Sequence, residues 1–272
     1  MVMQELADDL RDEGTGLYRF LATFNGADWN RPTPFKEWTA QDVLIHLTVG
    51  DWLNILSISD PERFVAVMDK RIQARDRGLK TSGAELLDEP LGEGSSLLGQ
   101  WHVRLIQLCE LFQVADAKAR MKWAGPDMSI RSAATARLME TWAHGQDVYD
   151  MAGVDRIPTD RIRHIAVLGV NTFVWSFSNR GLKPPREAPL VELIGPSGDI
   201  WRWNEDSVEG EISGPALDFC QVVTQGRNIA DVGLHVMGES ARKWMAIAQC
   251  FAGPAEDPPK PGTRTGGSAH RG

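Results

Sequence analysis

Three side chains, the pair Glu140 and His144 and the distant His46, are of the types that hold a divalent cation. Glu140 and His144 stand four residues apart in the stretch Glu-Thr-Trp-Ala-His-Gly-Gln-Asp, so a helix over residues 131–151 projects both from one face, about one turn apart. His46 falls in a second amphipathic segment, residues 39–58, and could add a third ligand across a helix bundle. Two imidazoles, one carboxylate and an open fourth position form the ligand set of a catalytic zinc site, whereas a closed structural site uses four protein ligands.

Spacing does not single this set out, because His46, His144, His164 and His235 each follow an acidic residue by four positions, namely Asp42, Glu140, Asp160 and Asp231. Context separates them. Asp231 and His235 lie in a strand-like stretch, where four residues span about 13 Å at roughly 3.3 Å each, too far to chelate one ion. Asp160 and His164 are interleaved with Arg156, Arg161 and Arg163, whose charge disfavours a cation. Asp42 sits in a first helical turn, as an N-terminal charge or a partner orienting His46. Glu140 and His144 remain the best pair. On spacing alone, however, a helix-face hydrogen bond between them, with His46 a satisfied core histidine, is the simpler account. His102 reads as an ordinary helix residue, and Asp147 either orients a ligand or closes a helix end.

The elements that must position these residues follow from apolar periodicity. Stripes of apolar residues mark helices at 3–24, 39–58, 60–68, 96–114, 129–151 and 156–179. Asn25-Gly26 supplies a left-handed stop for the first, and Thr39-Ala40-Gln41-Asp42 resembles a capping box opening the second. Arg71, Arg75, Asp76 and Arg77 read as a solvated charged run. After Gly181 the pattern changes: strands at 189–194 and 200–203 flank a Gly-Pro-Ser-Gly hairpin turn, and Ile212 ends another. Ser213 is placed to cap a helix over 215–224; a strand at 233–237 and a helix at 239–251 complete the series. The expected organisation is α+β: a helical metal-binding bundle at 1–180, a small α+β domain at 185–252, and a flexible tail at 253–272, whose Pro, Gly and charge cannot order themselves by burial.

Composition narrows the function classes. With 37 acidic against 29 basic residues, a formal charge of −8 and no basic stripe, nucleic acid is not an expected partner. The acidic start and the lack of a long apolar run give no expectation of a membrane. Three widely spaced cysteines suggest buried thiols in a reducing cytoplasm, with neither a disulfide framework nor a thiolate metal site. Ten tryptophans against two tyrosines supply large apolar area, first of all to the core. Dinucleotide, P-loop and serine-nucleophile patterns do not occur.

The stretches Trp38-Thr-Ala-Gln-Asp-Val-Leu-Ile-His46-Leu and Glu140-Thr-Trp-Ala-His144-Gly-Gln-Asp together resemble the DinB-like bundles, and more closely the mycothiol-dependent maleylpyruvate isomerase family. The resemblance covers roughly residues 4–252; Ile212-Ser-Gly-Pro-Ala and Gln225-Gly-Arg are similar to that family's small C-terminal domain, of sterol-carrier-like fold. It implies a DinB-like four-helix bundle presenting His46, Glu140 and His144 to a divalent metal, zinc first, and a low-molecular-weight thiol, mycothiol or another, held as thiolate for isomerisation or thiol transfer on a small-molecule substrate. It also implies a role for Arg227 in clamping a substrate carboxylate, set against a plain surface arginine in a turn. A metal-dependent hydrolase or lyase using zinc-bound water, and a non-catalytic metal- or lipid-binding protein, stay open beside it; an apolar tunnel within 185–252 would favour the carrier. Oligomeric state is left open.

Overall fold

The computed structural model describes residues 3–79, 82–123, 125 and 127–264. The chain divides into two units, Met1–Val148 and Tyr149–Gly272. The first is helical: α1 (Met3–Leu21), α2 (Ala40–Ser59), α3 (Pro61–Asp76), α4 (Gly94–Val114) and most of α5 (Ile130–Ala152). Leu6, Leu10, Leu17 and Leu21 form the buried stripe of α1 and face α4, which buries Leu97, Trp101, Leu105, Leu108 and Phe112 and packs against both α1 and α2. Gly14 permits the close approach of α1, since a Cβ there would stand 2.1 Å from Leu105 Cδ2.

Helix α2 begins as expected. Thr39 accepts a hydrogen bond from the Asp42 N–H, and the Asp42 carboxylate accepts one from the Thr39 N–H at 2.9 Å, completing the capping box. Asp42 is thereby committed to the helix start. Helix α3 opens at Asp60-Pro61 and continues to Asp76, beyond the expected end near Met68. Phe64 and Val67 anchor it on Trp52 and Leu56 of α2, and Arg, Gln and Ala are good helix formers, so most of the charged run becomes its outer face. Helix α1 stops at Leu21, and neither Asn25 nor Gly26 takes a left-handed conformation. A two-stranded antiparallel ribbon, β1 (Arg120–Met121) with β2 (Met128–Ser129), precedes α5 and was not expected.

The second unit takes in residues the sequence pattern assigned to the bundle. The helix expected over 156–179 is a turn at 160–162 followed by α6 (Arg163–Asn171) and α7 (Phe173–Ser178), broken at Thr172, whose hydroxyl donates to Leu168 O at 2.8 Å. Pro158 keeps the preceding stretch out of the helix. Helix α6 packs on α8 (Ala216–Val223), and α7 on α9 (Glu239–Met245), which places both helices in the second contact unit. The sheet has the order β4-β3-β5-β6: β3 (Leu190–Ile194) forms the expected hairpin with β4 (Ile200–Trp203), runs parallel to β5 (Glu211–Pro215), and β6 (His235–Met237) is antiparallel to β5. Val191, Leu193, Trp201 and Ile212 turn into a core shared with Phe219 and Trp244, while Glu192 and Arg202 pair across the other face at 2.7 Å. Ser213 is inside β5 and does not cap α8, and α9 ends at Met245 rather than near 251.

Residues 253–264, expected as the start of a flexible tail, are tied to this unit instead. Gln225 and Gln249 donate to Glu256 O and Pro254 O at 2.7 and 3.0 Å, Asn228 to Pro259 O at 2.8 Å, and the Gly262 N–H donates to Asp231. Arg180 adds bonds to Glu256 O and, at 2.7 Å, to Asp257. Main-chain carbonyls accept these bonds whatever the side-chain composition, which is why a count of apolar residues misses them. Residues 265–272 lie outside the described residues. Among the described residues no helix is long and apolar enough to cross a membrane.

Candidate metal centre

His46 lies two turns into α2, and Glu140 and His144 lie one turn apart on α5. The structure brings all three together: one ligating atom from each lies within 4.8 Å of the others. His46 Nε2 is 2.9 Å and His144 Nε2 3.5 Å from Glu140 Oε2, so one carboxylate oxygen faces both imidazoles. Ligands about 2.1 Å from a tetrahedral zinc stand about 3.4 Å apart, and the His144–Glu140 separation of 3.5 Å meets that, while the 2.9 Å of His46–Glu140 would open slightly. His144 Nδ1 is enclosed without a hydrogen-bonded partner and lies 3.5 Å from Asp147 Oδ2. That contact is where a carboxylate that fixes the tautomer of a metal-binding histidine belongs. The donor set and this second carboxylate fit a divalent cation. Exposure is graded across the triad, with 37% of the His46 side chain, 27% of Glu140 and 11% of His144 open, which leaves an accessible edge for a further ligand.

The electrostatics follow from the same contacts. Burial would raise the Glu140 carboxyl, but its hydrogen bonds with His144 and His46 outweigh this and hold it well below the usual carboxylate range. Burial would lower His144 too, yet Asp147 and Glu140 lift it to about 9. Burial lowers His46, against its bond to Glu140. The metal-free cluster therefore favours its extra proton on His144, beside an ionised Glu140, with the His46 imidazole shifted toward its neutral form.

Aromatic rings close one side. Trp38 stacks on His144 with centroids 5.6 Å apart and planes at 17°, and it also meets His46 at 5.3 Å. Phe35 stands edge-on to His144 at 5.0 Å. The loop carrying them is pinched by Thr33 N–H donating to Trp38 O at 2.7 Å, and its tip residues Lys36 and Glu37 both take positive φ, 51° and 58°. Consecutive left-handed non-glycine residues are uncommon and mark a loop held by its surroundings. Phe35 was not among the sequence candidates, and Trp38 was one of several tryptophans read first as core and also opens the stretch that carries the resemblance.

A second group missed from sequence lies in the same unit. Asp51 of α2 is fully buried; its carboxylate accepts from Arg137 Nε of α5 at 3.0 Å and from Trp101 Nε1 of α4 at 3.0 Å. Arg137 Nη2 also donates to Leu47 O at 3.3 Å. Burial pushes the Asp51 carboxyl up, opposed by Arg137 and Trp101. The available signal was an aspartate inside the run Leu47-Thr-Val-Gly-Asp-Trp-Leu, where only a paired charge is tolerable.

The other sequence candidates fall elsewhere. Arg227 is neither an exposed turn residue nor a free clamp: it is buried, and its two terminal nitrogens each lie 2.7 Å from an oxygen of the Asp150 carboxylate. This bidentate pair occupies the edge a substrate carboxylate would need. Asp160 accepts from the Ser197 N–H at 3.0 Å, and His235 is on β6, with Asp231 given to Gly262. His102 stacks on Tyr18 at 4.2 Å and approaches Thr15, away from the triad.

A helical unit that carries a two-histidine, one-glutamate cluster is followed by a mixed α+β unit. Residues 10–149 match the mycothiol maleylpyruvate isomerase N-terminal domain, and the chain belongs to that family. An uncharacterised protein of Mycobacterium tuberculosis, present in strains CDC 1551 / Oshkosh and ATCC 25618 / H37Rv, is 40% identical over 247 residues, covering 90% of this chain and 95% of that one. Crystal structures of the mycothiol-dependent maleylpyruvate isomerase and of a histidine-to-alanine mutant share the fold. They have TM-scores of 0.51 and 0.50 and identities of 14% and 13%, over 82% of this chain and 88% of theirs.

Proposed function

We propose that the chain binds a divalent cation, zinc first, through His46, Glu140 and His144. We further propose that it acts in the cytoplasm with a low-molecular-weight thiol of the mycothiol kind, isomerising a small electrophilic, carboxylate-bearing substrate or transferring the thiol to it. The observation that carries this reading is the convergence of three donors from two helices within 4.8 Å, with one edge open. A cation held there supplies Lewis acidity and acidifies a bound thiol or water. Around it the chain does ordinary work: Asp147 keeps the His144 proton on Nδ1, leaving Nε2 to donate its lone pair. Trp38 and Phe35 shield one side of both imidazoles from water. Membership of the family, and the thiol named for its structural relatives, support the thiol over a water-using hydrolase. A groove in the second unit, about 560 Å³, is rimmed by Lys183, Glu209, Glu239 and Lys243 beside Phe177 and Val208, which does not match the apolar tunnel of a lipid carrier.

Metal analysis of the purified protein and of a His46→Ala, His144→Ala variant tests the site: about one equivalent is expected in the parent and none in the variant, and equal contents would refute it. Turnover of maleylpyruvate and a panel of electrophiles, with and without mycothiol, tests the chemistry. Activity independent of thiol would transfer the assignment to a hydrolase or lyase.

A further inference from the structure

The ligands of the candidate centre come from two helices, so their meeting depends on the register of α2 against α5. Arg137, Glu140 and His144 follow one another at spacings of three and four on α5, and so share one stripe. On α2, His46 and Gly50 likewise share a stripe, with Asp51 beside it. His46 meets Glu140 on one rung; one turn further along α2, and one turn back along α5, Asp51 and the Gly50 backbone meet Arg137. The helices are antiparallel along this seam, and the Arg137 rung is the next beneath the metal rung.

That lower rung fits only one arrangement. The guanidinium rests on the bare backbone of Gly50, where a Cβ would stand 2.5 Å from Nη1 and 2.9 Å from Cζ. Its donors are directed to Asp51 and to Leu47 O, and Asp51 is held from its other side by Trp101 of α4. Slipping either helix by a turn, about 5.4 Å, would break all of these bonds inside a buried space and leave two charges unpaired. Loose apolar contacts alone would not penalise a smaller slide so steeply, because they are not directional.

We infer that the Asp51–Arg137–Trp101 tie, seated on Gly50, sets the register that brings His46 to Glu140 and His144, and that Arg137 and Asp51 are positioning residues for the metal triad. The inference rests on the metal reading above. Neither residue touches the cation site; both act through the helix that carries a ligand.

Gly50→Ala is the most direct test. It leaves both charges in place and improves the intrinsic helix preference of α2, yet drives the guanidinium out of its seat. Gly99→Ala on α4 is the control, since a Cβ there meets nothing within 4 Å. Zinc affinity is read by competition with a chromophoric chelator and ligand geometry by the ligand-field spectrum of the Co²⁺-loaded protein, both well below the unfolding temperature. Gly50→Ala is expected to weaken zinc binding about tenfold or more and to shift the Co²⁺ bands, with Gly99→Ala unchanged in both. If Gly50→Ala does not fold, the pair Asp51→Leu with Arg137→Met replaces the tie by apolar groups of similar bulk, a change buried ion pairs often tolerate, and the same two readouts apply. Parent-like affinity and Co²⁺ bands in the folded variant would overturn the inference. A parent protein that binds neither zinc nor Co²⁺ would instead overturn the metal reading, which separates the two failures.

Discussion

Arg227→Ala puts the sharpest question to the second unit. The Arg227 and Asp150 side chains are 5% and 6% exposed and joined by two bonds of 2.7 Å, with a third from Arg227 to Gly226 O at 2.9 Å. Removing the guanidinium leaves a carboxylate in a space closed to water, and breaking a buried pair from one side costs about 3–5 kcal/mol. For a unit of this size each kcal/mol lowers Tm by about 3–4 °C, so a fall of about 9–20 °C is expected. The two units need not unfold together, so the transition to follow is the one that moves between parent and variant. Urea unfolding followed by tryptophan fluorescence gives the same quantity as a shift in midpoint. Asp150→Leu combined with Arg227→Met removes both charges and should recover most of the loss, because neither member of the pair is left as a lone buried charge. An Arg227→Ala protein as stable as the parent would refute this reasoning. It would return Arg227 to the substrate-clamp role, where the effect should appear as a raised KM for carboxylate substrates.

Zinc affinity of the metal-free protein should rise with pH, because the cation displaces the proton that Glu140 and Asp147 keep on His144 up to about pH 9: competition titrations at pH 6.5, 7.5 and 8.5 should show about tenfold tighter binding per unit, and a flat profile would contradict it. The sign for stability is opposite, since a histidine raised above its unfolded value stabilises the metal-free fold fully below about pH 6.5 and loses that contribution as pH climbs through about 9. Asp147→Asn should keep the helix but weaken zinc binding by about 10–100-fold, and an unchanged affinity would make Asp147 purely structural. Truncation after Gly253 should lower the urea midpoint of the second unit by the equivalent of about 1–3 kcal/mol, since Gln225, Gln249 and Asn228 lose carbonyl partners; equal midpoints would show that the segment contributes nothing.

What could be read from the chain was what is local or repeated. The stripes of α1, α2, α4 and α5, the Thr39–Asp42 box and the hairpin between β3 and β4 each arise within a few residues, so pattern and structure agree. The triad was legible because two of its members share a helix face and the third lies in a second such helix. The tie beneath it was not, because Asp51 and Arg137 are distant in sequence, and an arginine on an amphipathic helix looks the same whether it faces water or a buried carboxylate. The partners of α6 and α7 were hidden for a related reason. Residues 163–178 carry a valid helical stripe, but a stripe does not say which partner will cover it, and here α8 and α9 do. Arg227 posed the same difficulty, as its partner Asp150 could be named only once the chain had folded.

The division of the chain also orders events in time. Every donor of the candidate centre, the tie on Gly50 and the aromatic loop lie within the first 148 residues, so a ribosome delivers the whole cation site before it has made any strand of the second sheet. The second unit has no such early completion. Its parallel pair β3–β5 waits for the intervening β4, its core waits for Trp244, and the carbonyls that satisfy Gln225 and Gln249 arrive only with residues 253–264. Domains made N-terminal first generally fold as units during synthesis, so on the proposed reading the nascent bundle is complete enough to take its cation before the unit that follows has closed.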